Sequence, residues 1–407
     1  MVNKSLLLLS LLFSYAFLFS QNDKAVFKQR DFSKSFLYNT VIPEIRKNEN
    51  KETNNNLSLS LDFKENYPVN PDDYTVFWHT EPVSQGYTGT CWCFSATSFM
   101  ESEVKRINNI EVNLSEMWTV YWEYVERALD FVKTRGETYF EQGSEANAIP
   151  KIWSKYGIVP FEAYHGLKEG DKYHNHKDMV EEMKEYLKKV KENNAWNEEE
   201  VASTIKSILN YYMGEPPEKF NYKGQQYTPS EFLNNYLKLK MQDYFSFMST
   251  AEFPYNEMHE LVEADNWWHA SNYWNLSLED YMTLIKETLK QGYTISICGD
   301  ISEPGFSSYY EVAIVPDFDI PSKYINESSR VFRMKNGSTT DDHCVHAVGY
   351  RIINGEWWFL MKDSGGSGFD GDHHGYCFMH EDYIKLKMMN ILIHKSAAKD
   401  ILDKIIK

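Results

Sequence analysis

Three short runs in this sequence carry residues able to cleave an acyl bond through sulfur. In QGYTGTCWCFS, Cys91 directly precedes a helical apolar pattern, which places it in a first helical turn, where free amides and the helix dipole suit a nucleophilic sulfur. Gln85 can present a side-chain amide, and Cys91 its own backbone amide, as two donors to a developing oxyanion. In DDHCVHAVGY, His343 and His346 are rival general bases. In KDSGGSG, Asp363 can accept from the far ring nitrogen of an imidazole and so fix its tautomer. Asn354-Gly355 lies between these last two runs and signals a hairpin. An ideal two-residue turn there sets His346 opposite Asp363, whereas a longer loop or a bulge restores His343, because one residue of slip flips the face of a strand. Cys93 points about 200° away from Cys91 around the helix and reads as a small core residue.

The first run resembles the active-site cysteine segment of the papain superfamily at Gln85, Gly86, Gly89, Thr90, Cys91, Trp92, Phe94 and Ser95. The second is similar to the superfamily strand Asp-His-Ala-Val-x-x-Val-Gly-Tyr. That comparison gives the catalytic place to His343, with Val345, Val348, Gly349 and Tyr350 in step, and leaves His346 as a buried, hydrogen-bonded histidine. KDSGGSG takes the place of Lys-Asn-Ser-Trp-Gly. Asp363 stands for the usual asparagine, and Gly365 for the tryptophan that covers the asparagine–histidine hydrogen bond, with Trp357 and Trp358 as candidates for that shielding. LSEMWTVYWEYVERA, EQGSEANAIPKIWSKYGIVP, YTPSEF and NLSLEDYMTLIKETLKQGYTISICGD extend the likeness to bleomycin hydrolases and aminopeptidase C over most of residues 80–390.

The resemblance implies an α+β papain-like fold, with a helical lobe, an antiparallel barrel-like lobe and an inserted helical region. It implies a cysteine peptidase that releases amino acids from peptide N-termini through an acyl-enzyme, and that can assemble as a hexamer. Gly143 and Ser144 are then the substrate-binding pair, although Ser144 stands where a second glycine is usual. In the family the C-terminal end lies in the cleft and acts as a ruler. This sequence instead ends in the basic amphipathic stretch HKSAAKDILDKIIK. Exopeptidase action therefore follows from the likeness and not from these residues.

The elements that must position these groups follow from periodicity. Ala96, Phe99, Met100, Val104 and Ile107 recur at helical spacing behind Cys91. A second helix is expected over 114–132, capped by Asn113 or Ser115, and a third over 148–156, ended by Gly157. Met179, Met183, Leu187 and Val190, then Val201, Ile205, Ile208 and Tyr212, form two stripes that read as an inserted helical hairpin. Thr228-Pro229-Ser230-Glu231 has the form of a capping box. A helix follows Ser277, and the strands of the second lobe are expected to begin at YTISIC. The resulting organisation is a leader (1–20), an N-terminal arm (21–75), a helical lobe with Cys91 (76–166), a helical insertion (167–260), a β-rich lobe with His343 and Asp363 (261–394) and a C-terminal tail (395–407).

Composition narrows the classes. The 407 residues include 11 Trp, so the chain can bury a large core. Its net charge is −17, and loss of Lys4 with the leader makes the remainder more negative, which excludes nucleic acid as a partner. Lys4 before the apolar run Leu6–Phe19 reads as an export signal, with no membrane contact after its removal and a secreted or periplasmic product. The 5 cysteines are odd in number and suggest no disulfide framework. His174, His176, His373 and His374 fit no zinc spacing and read as solvated loop residues, and Asp370 with Asp372 lacks the glycine and glutamate of a calcium loop. Trp267 and Trp268 read as core residues. No metal and no cofactor is assigned, and the expected partner is a peptide. Two rival functions remain: an open-cleft endopeptidase, and a catalytically impaired peptide-binding module supported by the changes at Asp363 and Gly365.

Overall fold

The structure is a computed structural model and describes residues 23–29, 31–45, 57–64 and 66–406. The proposed leader therefore lies outside the described residues. Within them two large cores stand out beside two smaller clusters. One is helical and gathers Trp92, Phe99, Tyr121, Trp153, Leu187 and Phe232; the other lies on the far face of a large sheet and gathers Ile285, Ile297, Phe359, Met361 and Ile391.

Cys91–Asn108 is the central helix of the first core. Its apolar side chains are buried from Trp92 to Val104, and each large one contributes roughly 1.5–3 kcal/mol. Asn109, in the left-handed region, ends it and donates its N–H to the Lys105 carbonyl. Glu116–Lys133 follows, capped by the Ser115 hydroxyl, which accepts from the Trp118 N–H at 3.0 Å. Ala148–Tyr156 is closed by Gly157 at a positive φ of 69°. The inserted hairpin consists of Lys177–Glu192 and Glu198–Met213, and the capping box at Thr228 is formed reciprocally with Glu231.

The sheet is open and mostly antiparallel, with two parallel pairings, so the expected barrel-like closure is not formed. It also begins earlier than expected. Tyr244–Met248 pairs with Met388–His394 and so belongs to the sheet and not to the helical insertion, because its apolar side chains and Ser246 are covered on both faces. Ile295–Gly299 pairs with His343–Ile353, which in turn pairs with Glu356–Lys362. The N-terminal arm wraps this body. Ala25–Gln29 pairs with Leu57–Leu61, and Leu37 packs on Gly366. The C-terminal helix Lys399–Ile405 buries Ile401 and Leu402 in the second core.

A buried polar clamp joins the Cys91 helix to the sheet. Ser98 Oγ meets His346 Nδ1 at 2.9 Å and accepts from Lys362 Nζ at 2.9 Å, while Ser95 Oγ meets Ser296 Oγ at 2.8 Å. Unmade, each such buried bond carries a desolvation penalty of about 1–3 kcal/mol. Ser98→Ala removes one partner from both His346 and Lys362, and is expected to lower unfolding stability by roughly 2–4 kcal/mol, measurable as a shifted urea midpoint at unchanged slope.

Candidate active site

Cys91 is the first residue of its helix, so its N–H is among those with no intrahelical acceptor. Its side chain is half-buried, whereas Cys93 is fully buried and donates to the Glu116 carbonyl, the core role expected of it. Gln85 is held from both sides. Its Nε2 donates to the Thr88 carbonyl at 2.6 Å, and its Oε1 accepts from Ser364 Oγ at 2.8 Å. Its backbone N–H also bonds the Ser364 carbonyl, so the segment before Cys91 is tied to the segment after Asp363. One amide hydrogen of Gln85 remains for a ligand.

The choice between the two histidines is made by one extra residue. From the turn, Ile353 pairs with Glu356 and Gly349 with Leu360 in the ideal register. Ala347 then pairs with Met361, so Val348 is an unpaired bulge and the register slips. Beyond the bulge His346 lies opposite Lys362, not Asp363. Continued one step, the slipped register brings Val345, and therefore the face of His343, into line with Asp363. His343 Nε2 lies 2.6 Å from Asp363 Oδ1. The Cys91 side chain lies in the same cleft and raises the imidazole pKa, and with Nε2 held by Asp363, Nδ1 is the ring nitrogen left for sulfur. His346 is the buried, hydrogen-bonded histidine of the clamp.

The bulge has visible support. The Val348 carbonyl accepts from the Phe77 N–H at 2.8 Å, so a group displaced from the ladder is still satisfied. At Gly349 a Cβ would stand 2.6 Å from the Thr75 carbonyl oxygen, so the short strand Thr75–Val76 can pair there only against glycine.

Electrostatics separate the histidines further. Burial pulls the His343 pKa down, but the Asp363 charge, followed by Cys91, more than reverses this and the net shift is well upward. For His346, burial, reinforced by the Lys362 charge, drives the pKa well down.

Neither Trp357 nor Trp358 shields the His343–Asp363 bond, which corrects the expectation. They lie at the turn end of the hairpin, opposite Ile352 and Arg351. The Asp363 carboxylate is covered instead by backbone. Gly365 donates its N–H to Oδ1 at 2.8 Å, and a Cβ on Gly368 would stand 2.8 Å from Oδ2. A Cβ on Gly365 would stand 3.1 Å from His343 Cε1, so this glycine strand packs directly over the pair.

Gly143 and Ser144 both border the cleft that holds Cys91 and His343. The Ser144 hydroxyl is turned inward and donates to Glu123 Oε1 at 2.6 Å, so only its backbone is available to a ligand. The Gly143 carbonyl is taken by the buried Arg127 guanidinium. His174 and His176, expected to be solvated, are packed. The His174 backbone lies against Gly86, and His176 is buried beside Tyr124, with a pKa lowered to about 3 chiefly by burial. His373 pairs with Glu311. Trp267 is buried as expected and donates to Glu123 Oε1 at 2.6 Å. The expected absence of a disulfide is overturned: Cys298 and Cys344 are bonded across neighbouring strands. Their pairing depends on the Ile295–Gly299 to His343–Ile353 register, which cysteine spacing alone does not reveal.

A thiol at a helix start, an imidazole held by a buried carboxylate and amide donors nearby are the groups that cysteine-peptidase chemistry requires. The chain belongs to the Peptidase C1-like family, whose model matches residues 29–406. It is 22% identical over 400 residues to aminopeptidase C of Lactococcus lactis subsp. cremoris, covering 88% of this chain and 90% of that one. It is 22% identical over 387 residues to bleomycin hydrolase of Gallus gallus, covering 80% and 83%. The crystal structure of PepW from Lactobacillus rhamnosis superposes with a TM-score of 0.62 at 18% identity over 81% of this chain and 84% of that one, which supports the papain-like fold. The protein is accordingly a cysteine peptidase of that family.

The raised His343 pKa makes a signed prediction. The imidazolium persists upward in pH, and activity that needs it is lost as pH rises through that pKa. Asp363→Asn keeps an oxygen acceptor for Nε2–H but removes the charge that opposes burial most, leaving Cys91 to oppose it, so the His343 pKa falls. The alkaline limb of the kcat/KM profile is expected to move to lower pH by about one unit or more, equivalent to ~1.4 kcal/mol, as read from initial rates across pH.

Proposed function

We propose that this chain is an exported cysteine aminopeptidase of bleomycin hydrolase type, with Cys91 as nucleophile, His343 as acid and base, and Asp363 as the group that orients the imidazole. The observation that carries the reading is the chain of contacts from Asp363 Oδ1 through His343 Nε2 to the Cys91 side chain.

The mechanism follows from which atoms face one another. The Cys91 thiolate adds to the scissile carbonyl carbon, and the oxyanion is met by the Cys91 N–H and the remaining amide hydrogen of Gln85. The His343 imidazolium gives its Nδ1 proton to the departing amine, the C–N bond breaks and a thioester remains. Neutral His343 then takes a proton from water, the resulting hydroxide releases the acid, and the Cys91 thiolate and the imidazolium are restored. The Asp363 charge stabilises the imidazolium. The backbone of Gly143 and Ser144 lies beside Cys91 in the cleft, where an extended peptide would run.

Aminopeptidase action is supported by the names of the relatives, several of which are called aminopeptidase C. Export is supported by the apolar run Leu6–Phe19 behind Lys4, and by the Cys298–Cys344 disulfide, a bond that persists in oxidising compartments. A homo-oligomer, hexameric in the resemblance, would be read by light scattering of the mature protein.

Hydrolysis of a free-amine aminoacyl fluorogenic substrate under reducing conditions tests the assignment. Cys91→Ala and His343→Ala are expected to lower kcat by a factor of about 10³ or more, while His346→Ala retains most of the turnover of the protein that folds. Efficient cleavage of an N-blocked peptide would instead make the protein an endopeptidase, and no turnover by the unmodified chain would favour a peptide-binding module.

A further inference from the structure

The cleft beside Cys91 and His343 is a cavity of about 310 Å³ whose wall also carries Gly143, Asp265, Asp341 and Asp342. The three aspartates arrive from two distant segments, and the cavity brings them to one place. The Asp265 carboxylate is seated on Gly143. A Cβ on that glycine would stand 2.2 Å from Asp265 Oδ2, so only glycine allows this approach. Among the described residues no hydrogen bond is donated to Asp265. Asp341 Oδ2 accepts from Asn390 Nδ2 at 3.1 Å, and Asp342 Oδ1 accepts from the Ile301 N–H at 3.0 Å.

Behind this wall lies a further carboxylate. Asn390 Nδ2 also donates to Glu145 Oε2 at 3.0 Å, so Glu145 and Asp341 stand side by side on one amide. Glu145 is 1% exposed, and its Oε1 has no hydrogen-bond partner. Its carboxylate also reaches to within 4.8 Å of the sulfur of Cys344, another residue of the cavity wall.

The neighbouring cations are already engaged. Arg127 is buried 3.8 Å from Glu123 and donates to the carbonyls of Glu141 and Gly143, and Lys184 pairs with Glu141. Among the described residues, no lysine or arginine lies within ion-pair distance of Asp265, Asp341 or Asp342. Burial, followed by the charges of Glu145, Glu263 and Asp265, pushes the Asp341 carboxyl well above its usual range. Such a wall is short of positive charge and becomes more stable when a cation enters.

We propose that Asp265 and Asp341 bind the α-ammonium group of the peptide substrate's N-terminal residue and so set where along the peptide the bond above Cys91 falls. The inference rests on the peptidase reading and names the side chains that recognise the free amino end of the peptide. An ammonium is compact and donates three hydrogens, enough to bridge two carboxylates that lack basic partners. A lysine side chain carries the same group, so the two sources need separate arms in the test.

The test compares kcat/KM for alanyl-, acetyl-alanyl- and acetyl-lysyl-aminomethylcoumarin with the native protein, Asp265→Asn and Asp341→Asn. The native protein is expected to favour the free alanyl amine over its acetylated form by about a hundredfold or more, and each variant to reduce that ratio at least tenfold. Loss of both alanyl rates in equal proportion would mean a structural role and overturn the proposal, as would an unchanged ratio. Preference for acetyl-lysyl over acetyl-alanyl substrate that is abolished in the variants would assign the carboxylates to a side-chain cation and also overturn it. Calorimetry on the unmodified protein with alaninamide and N-acetylalaninamide reads the same discrimination without turnover. Tighter binding of alaninamide by an inactive chain would defeat the peptidase reading but keep the ammonium site, and equal affinities would overturn the site even in an active enzyme.

Discussion

The bulge at Val348 controls the chemistry of the whole cleft. Without it, the hairpin closed by Asn354-Gly355 would keep one register along its length, and His346 would face Asp363. With it, residues before Val348 move one step against Glu356–Lys362, and every side chain between His343 and Ala347 changes its neighbour. His343 gains a carboxylate and a sulfur, and His346 is turned to Ser98 and Lys362. The extra residue is stable because its carbonyl is satisfied by Phe77 and because Gly349 lets Thr75–Val76 close over it.

The slip also serves the packing of the two lobes. The face that carries His346 and Cys344 meets Ser95 and Ser98 through short polar contacts, directly or through Ser296. That face therefore holds the Cys91 helix at a fixed height and rotation on the sheet. A thiol and an imidazole carried on a helix and a hairpin need such a reference if they are to react together, since an error of about 1 Å in placing a reacting group can lower rates a hundredfold. The tie from Gln85 to Ser364 does the same on the other side of the thiol.

Much of this was legible in the sequence. The Cys91 helix, the Ser115 cap, the helix end at Gly157, the Thr228 capping box and the hairpin all follow from local chemistry that tertiary packing does not override. What escaped depends on neighbours distant in sequence. Tyr244–Met248 is too short to declare itself part of the sheet, and the Cys298–Cys344 bond needs two strands in register before the sulfurs meet. The shield over Asp363 was sought among tryptophans because a bulky side chain is the obvious cover. It is instead made by glycine backbone, which has no signature beyond the run Gly365, Gly366 and Gly368. The acidic wall escaped for the same reason: Asp265 and Asp341 are far apart in sequence and meet only in the folded cleft.

The central claim is that His343, and not His346, shares its charge with the thiol, and the most direct measurement is an NMR titration of the imidazole resonances, assigned with His343→Gln and His346→Gln. The account predicts that His343 stays protonated through neutral pH and shifts when Cys91 is alkylated, while His346 stays neutral well into acid and does not respond. A protonated His346 near neutrality whose resonances move on alkylation of Cys91, with His343 indifferent, would contradict the bulge-defined register and the site built on it.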